Sequence, residues 1–272
     1  MADRIRLTIL GCGSSPGVPR INGDWGNCDP ANPKNRRLRP AALVERIGGD
    51  GAVTRVAIDT GPDFREQMLA AGVTALDGVV YTHPHADHIH GIDDLRTFAL
   101  QTRRLVDIHA DRPTLERLHE AFGYCFHTPA GSDYPPILNP HIIEHGEPIE
   151  INGEGGVIKL LPLPQIHGKI ISLGFRIGAI AYCPDVSGFS EETAVRLQNL
   201  DHLVIDALQY RRHPSHLSLE EALAWIERLA PRHAVLTHMH TPLDHAAVMA
   251  ETPDHVDPAY DGMRLETTKI SL

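Results

Sequence analysis

Thr82-His83-Pro84-His85-Ala86-Asp87-His88 follows directly on the apolar run Val79-Val80-Tyr81. The run reads as a buried strand, and Pro84 biases His83 away from helical angles, so the chain leaves that strand extended. In an extended segment, residues two apart share a side, so His83 and His85 aim at one point. Asp87 and His88 then turn the chain toward a second, neighbouring point. Three histidines and one carboxylate fall within six residues. Neutral imidazole suits zinc, manganese or iron, and a carboxylate beside it favours harder ions, so these are the ligand types of a catalytic metal site. The chain holds 18 histidines, so the alternative is a polar loop rich in histidine by coincidence. Strand, spacing and ligand type together weigh against that alternative.

Outward from this stretch the same arrangement recurs. Apolar runs at 6–10, 42–47, 53–58, 105–110, 157–163, 170–177, 179–183, 202–205 and 234–236 read as strands, the pair around Gly178 as a hinge. Helices are expected from Pro62 to near Gly72, from Gly91 onward, near 114–122, and from a capping box at Ser218-Leu219-Glu220-Glu221 to Leu229. Residues 111–155 look like an insertion with one helix and much loop. Its aromatics Phe122, Tyr124, Phe126 and Tyr134 either line a substrate cleft or form a small satellite core. Asp59, His83, His167, Asp185, Asp206 and His238 all close apolar strands. In layered α/β proteins that edge is where sites are built. Any one of these residues alone is more often structural; together they supply enough ligands for two metals.

The first strand runs into Gly11-Cys12-Gly13-Ser14-Ser15-Pro16-Gly17. Its third glycine is one place late for a dinucleotide fingerprint and Pro16 interrupts it. A glycine-rich turn beside a metal centre, with Ser14 and Ser15 as anion donors, is the better reading, against a plain tight turn. In the polar loop 18–40, Arg36 and Arg37 are candidates for substrate phosphate, against a solvated basic loop.

Composition bounds the rest. The chain has 272 residues, 42% hydrophobic and 22% charged, with a net charge of −10. That is ordinary globular composition, and the acidic balance argues against extended nucleic acid as a partner. No apolar run is long enough to span a bilayer, no signal-peptide core is evident, and the four cysteines are unpatterned. A cytoplasmic protein with no membrane partner is expected, with a homodimer compatible with the sequence.

The set His83-x-His85-x-Asp87-His88 with His167, Asp185 and His238 in that order resembles the metallo-β-lactamase-fold hydrolases over nearly the whole length. The resemblance implies an α/β fold, a four-layer αββα sandwich of two similar halves formed by residues 1–272 as one domain. It implies two divalent ions, zinc or manganese: His83, His85 and His167 on the first, Asp87, His88 and His238 on the second, with Asp185 bridging. Asp59 matches a residue that orients a ligand histidine. Within the family, the Gly17-Val18-Pro19 run, Arg36-Arg37 and Pro162-Leu163-Pro164 are similar to the branch of 5-phosphoribosyl 1,2-cyclic phosphate phosphodiesterases. His216, 22 residues ahead of His238, matches that branch's catalytic histidine. The branch carries a cysteine cluster holding a structural zinc in its first loop; here only Cys28 remains, so no structural zinc is expected. The likeness to tRNase Z is more distant.

The expected function is hydrolysis of a small cyclic or nucleotide-like phosphodiester. Asp87 and the metals make up the reacting centre, His216 is the general acid and Asp206 orients it. The rivals are a lactonase, β-lactamase or thioester hydrolase on the same metals, and a non-hydrolytic cofactor-biosynthesis member of the fold.

Overall fold

The computed structural model describes residues 2–272. Two seven-stranded mixed sheets stack face to face, with helices on both outer sides. The strands are β1 (Arg4–Gly11), β2 (Ala41–Ile47), β3 (Val53–Ile58), β4 (Gly78–Val80), β5 (Val106–Ala110), β6 (Leu138–Ile142), β7 (Ile149–Ile151), β8 (Ile158–His167), β9 (Ile170–Ile177), β10 (Ile180–Cys183), β11 (His202–Asp206), β12 (His233–Thr237), β13 (Val256–Pro258) and β14 (Arg264–Thr267). The first sheet runs β14-β1-β2-β3-β4-β5-β6 and the second β13-β12-β11-β10-β9-β8-β7. In each half a run of antiparallel strands gives way to a parallel run. This is the αββα sandwich, the metallo-β-lactamase fold.

The alternation of side chains along each strand sorts residues into layers. Ile5, Leu7 and Ile9 of β1, Val44 of β2 and Val56 and Ile58 of β3 pack between the sheets with Leu163, Phe175 and Tyr182. Their neighbours Leu10, Leu43 and Ala57 point the other way, into a second core. That core is closed by α1 (Phe64–Ala71), α3 (Arg96–Thr102) and α4 (Arg112–Phe122); the single turn α2 (Ala86–Ile89) carries Asp87 and His88. On the second sheet lie α5 (Glu191–Arg196), α6 (Leu219–Leu229) and α7 (His245–Glu251). Helix α1 stops where Gly72 takes φ 67°, which glycine adopts without steric cost. Gly178, at φ 57°, turns β9 back into β10.

Helix α6 begins at the capping box: Ser218 Oγ accepts from the Glu221 amide at 3.3 Å and Glu221 Oε2 accepts from the Ser218 amide at 3.0 Å. Ser218→Ala should therefore lower the unfolding free energy by about 1 kcal/mol, the usual cost of losing such a cap. A denaturant midpoint unchanged by the substitution would show that the cap is not stabilising.

Residues 111–155 are not an insertion. They include β6, which pairs parallel with β5, and β7, which pairs antiparallel with β8, so they supply one edge of each sheet. Leu138-Asn139-Pro140-His141-Ile142 is strand only because β5 offers a ladder; its own pattern has little β propensity. Phe122 and Phe126 pack on the second core, whereas Tyr124 and Tyr134 are exposed. No helix among the described residues is long and apolar enough to cross a membrane.

Candidate metal centre

The ends of β3, β4, β8, β10, β11 and β12 meet at one edge of the sandwich. The sheets touch there: the Leu173 amide donates to Thr82 O at 2.8 Å and the Met239 amide to Cys12 O at 2.9 Å. Ile58 pairs with Val80 in parallel register, which sets Asp59 beside the start of the histidine motif. Asp59 lies at φ 66° and His238 at φ 58°. Left-handed backbone at non-glycine residues is costly and clusters where function demands a particular side-chain direction.

Hydrogen bonds decide which ring nitrogens face the centre. The Thr82 amide and hydroxyl both donate to the Asp59 carboxylate, each at 2.8 Å. With its proton so engaged, Thr82 Oγ accepts from His83 Nδ1 at 2.9 Å, leaving His83 Nε2 bare. His88 Nδ1 donates to Asp59 Oδ2 at 2.7 Å, turning its Nε2 toward the centre. His167 Nδ1 donates to Ser215 O at 2.6 Å, with the same result. Each ring is thus held by its outer nitrogen, as ligand histidines are.

The bare nitrogens converge. His83 Nε2 is 2.9 Å from His85 Nδ1, and His167 Nε2 is 3.4 Å from the same atom. Nitrogens that close, two of them with their protons committed elsewhere, need a cation or a shared proton between them. A second convergence lies alongside. Asp185 Oδ1 is 3.2 Å from His88 Nε2 and 3.3 Å from His238 Nδ1. All three of these buried atoms lack a hydrogen-bond partner. Buried polar atoms are normally paired, so three orphans facing one another mark a place built for a cation. The other oxygen, Asp185 Oδ2, is 3.9 Å from His83 Nε2 and 4.0 Å from His167 Nε2. The donors fit divalent metal ions.

Burial and charge act on the donors together. At His88 burial opposes the charged ring, but Asp185, Asp59 and Asp87 outweigh it and raise its pKa well above the ordinary histidine value, so a proton fills the place that a metal cation would take. Burial strips the proton from His83, His167 and His238, the last to a pKa of about 3. Burial would raise the carboxyl groups of Asp87 and Asp185. Neighbouring rings, chiefly His88 for Asp87 and His238 and His88 for Asp185, outweigh it and keep both ionised. Neutral imidazole and ionised carboxylate are the forms that bind metal.

His216 stands beside the cluster. Its ring stacks on His238 at 4.7 Å between centroids and meets His167 edge-on at 4.7 Å. Its Nδ1 is 2.7 Å from Asp206 Oδ2, which also accepts from the Val186 amide at 3.0 Å. Burial opposes the charged ring, but Asp206 outweighs it and the His216 pKa lies above the ordinary histidine value. Burial pushes Asp206 itself up to about 7.

The remaining candidates divide. Ser15 Oγ donates to Asp87 Oδ2 at 2.8 Å, and Ser14 Oγ lies 2.7 Å from His240 Nδ1. Arg37 does not reach the centre as a phosphate ligand would. It is 1% exposed, with Nη2 donating to Leu243 O at 2.7 Å and Nη1 to His240 O at 3.4 Å. There it ties loop 18–40 to the segment after β12. Arg36 faces solvent. Cys28 Sγ lies beside the Arg37 guanidinium and donates to the carbonyls of Thr241 and Leu243. Thr82, Ser215, Arg20 and His240 escape a reading from sequence. Thr82 alone had a signal, its place between a strand end and the first ligand histidine.

The sequence matches the β-lactamase superfamily domain over residues 54–239. It is 32% identical over 264 residues to a Porphyromonas gingivalis protein named octanoyltransferase, covering 95% of this chain and 51% of that one. It is 34% identical over 104 residues to a ribonuclease Z of Aeropyrum pernix, covering 37% of this chain and 27% of that one. The chain thus spans about half the length, or less, of these curated relatives. Among solved structures it superposes on a diphosphatase of the PhnP family with a TM-score of 0.87 and 37% identity over 98% of each chain.

Proposed function

The chain belongs to the β-lactamase superfamily, and from that premise we propose that it is a hydrolase that uses two divalent metal ions to cleave a small phosphodiester, cyclic or nucleotide-like. The observation that carries this reading is the divided carboxylate of Asp185, one oxygen toward His83 and His167 and the other toward His88 and His238. His83, His85 and His167 would hold one ion, Asp87, His88 and His238 the other, with Asp185 between them; zinc or manganese suits these donors. Ions so held supply Lewis-acid polarisation of a phosphoryl oxygen and a water-derived nucleophile at neutral pH.

The chain's residues do the rest. Asp59, Thr82 and Ser215 fix the ring orientations, and Ser15 steadies Asp87. His216, held through Nδ1 by Asp206, presents Nε2 as the donor of a proton to the departing alkoxide. The likeness to a PhnP-family diphosphatase supports phosphorus over carbon as the electrophile. The net charge of −10 supports a small substrate over extended nucleic acid.

After reconstitution with zinc or manganese, two metal ions per chain are expected, and Cys28→Ser should leave that count unchanged. The loaded protein should turn over bis(p-nitrophenyl) phosphate and cyclic phosphodiesters faster than a lactone, a cephalosporin or an octanoyl thioester. Turnover of the carbon esters alone would replace the reading with acyl hydrolysis. Bound metal with no turnover of any ester would make the chain a non-hydrolytic member of the fold.

A further inference from the structure

Two adjacent serines sit on the first loop, and their partners give them different tasks. Ser15 spends its proton on Asp87 Oδ2. Ser14 is arranged otherwise. Arg20 Nη2 lies 2.6 Å from His240 Nε2. A guanidinium only donates, so His240 Nε2 must be the acceptor and Nδ1 must carry the ring proton. That proton points to Ser14 Oγ, 2.7 Å away. Ser14 therefore accepts from His240 and keeps its own O–H free. Arg20 is itself fixed, by an ion pair with Asp24 at 2.8 Å and by backbone bonds that close the turn 20–24. Ser14 is bracketed by the centre: Gly13 bridges to Met239, next to His238, and Ser15 is on Asp87. Being 3% exposed, it has little solvent competing for its proton.

We propose that Ser14 donates a hydrogen bond to a phosphoryl oxygen of the substrate, its proton aimed there by an Arg20–His240 relay. Arg20 and His240 are positioning residues; neither touches substrate. The inference rests on the phosphodiesterase reading above. Its test uses the metal-loaded full chain, with bis(p-nitrophenyl) phosphate as substrate and inorganic phosphate as a calorimetric ligand. Ser14→Ala should lower kcat/KM about 10- to 100-fold, the range for a hydrogen bond to a charged group, and weaken phosphate binding, with metal content and melting temperature unchanged. Ser14→Thr should restore most of the loss. Arg20→Ala and His240→Ala should each cost about fivefold in wild type and almost nothing in a Ser14→Ala background, because residues acting through one hydroxyl are not additive. Wild type that turns over the diester while Ser14→Ala matches it would overturn the assignment and leave the function standing. Full additivity of Arg20→Ala with Ser14→Ala would overturn the relay. Wild type that neither binds phosphate nor turns over the diester would overturn function and assignment together.

Discussion

Asp185→Asn is expected to remove bound metal and to lower turnover of every substrate by about three orders of magnitude or more. Its two oxygens face different histidine pairs, at 3.2 and 3.3 Å on one side and 3.9 and 4.0 Å on the other. An amide keeps one acceptor but turns an N–H toward the other pair and carries no charge. The bare nitrogens of one set then meet a donor in place of an anion. Charge stabilisation by a metal is worth several kcal/mol, and each 1.36 kcal/mol is tenfold in rate. Elemental analysis should show fewer than two ions per chain with the fold retained. An Asp185→Asn protein that keeps two ions and near-normal turnover would remove the central feature of the proposed site. His238→Ala, at the end of β12, should likewise reduce metal occupancy, and with it the rate on good and poor leaving groups alike.

His216→Ala should behave differently, because His216 is placed to move a proton. Metal content should stay intact, while kcat on a diester with a poor leaving group should fall about 10²–10⁴-fold, the span of general acid catalysis. On p-nitrophenyl esters the loss should be much smaller, since that group departs unprotonated. The pH dependence has a definite sign. The acid must be protonated, so activity on poor leaving groups should hold below the His216 pKa and fade as pH rises through it. Asp206 lifts that pKa, so Asp206→Asn should move the alkaline limb to lower pH, and His216→Ala should abolish it. His216 also lies with His167 and Asp185 in a geometry that could hold an ion. Loss of metal from His216→Ala would make it a ligand, and equal losses on good and poor leaving groups would exclude it as the acid.

Much of this site is legible along the chain. Ligand histidines two apart follow an apolar run, and acidic or histidine residues close strand after strand, because side-chain alternation and strand ends are local properties of a polymer. The capping box before α6 and Gly72 after α1 are local for the same reason. Strands β6 and β7 are not, since each exists by pairing with a partner formed elsewhere in the chain.

The sequence by itself determined the strand-end cluster and the residue types able to bind metal, and the sandwich followed from the family resemblance that those motifs carry. Only the tertiary structure decided how they are used. Which nitrogen His83, His88 and His167 offer depends on Thr82, Asp59 and Ser215, and for His88 and His167 the partner lies 29 and 48 residues away. Arg37 and Ser14 look equally suited to phosphate in one dimension. Packing buries Arg37 against the carbonyls of His240 and Leu243 and sets Ser14 on the ring of His240. The physical reason is that a side chain's protonation, tautomer and direction follow from its neighbours in space, and those neighbours come from both sheets.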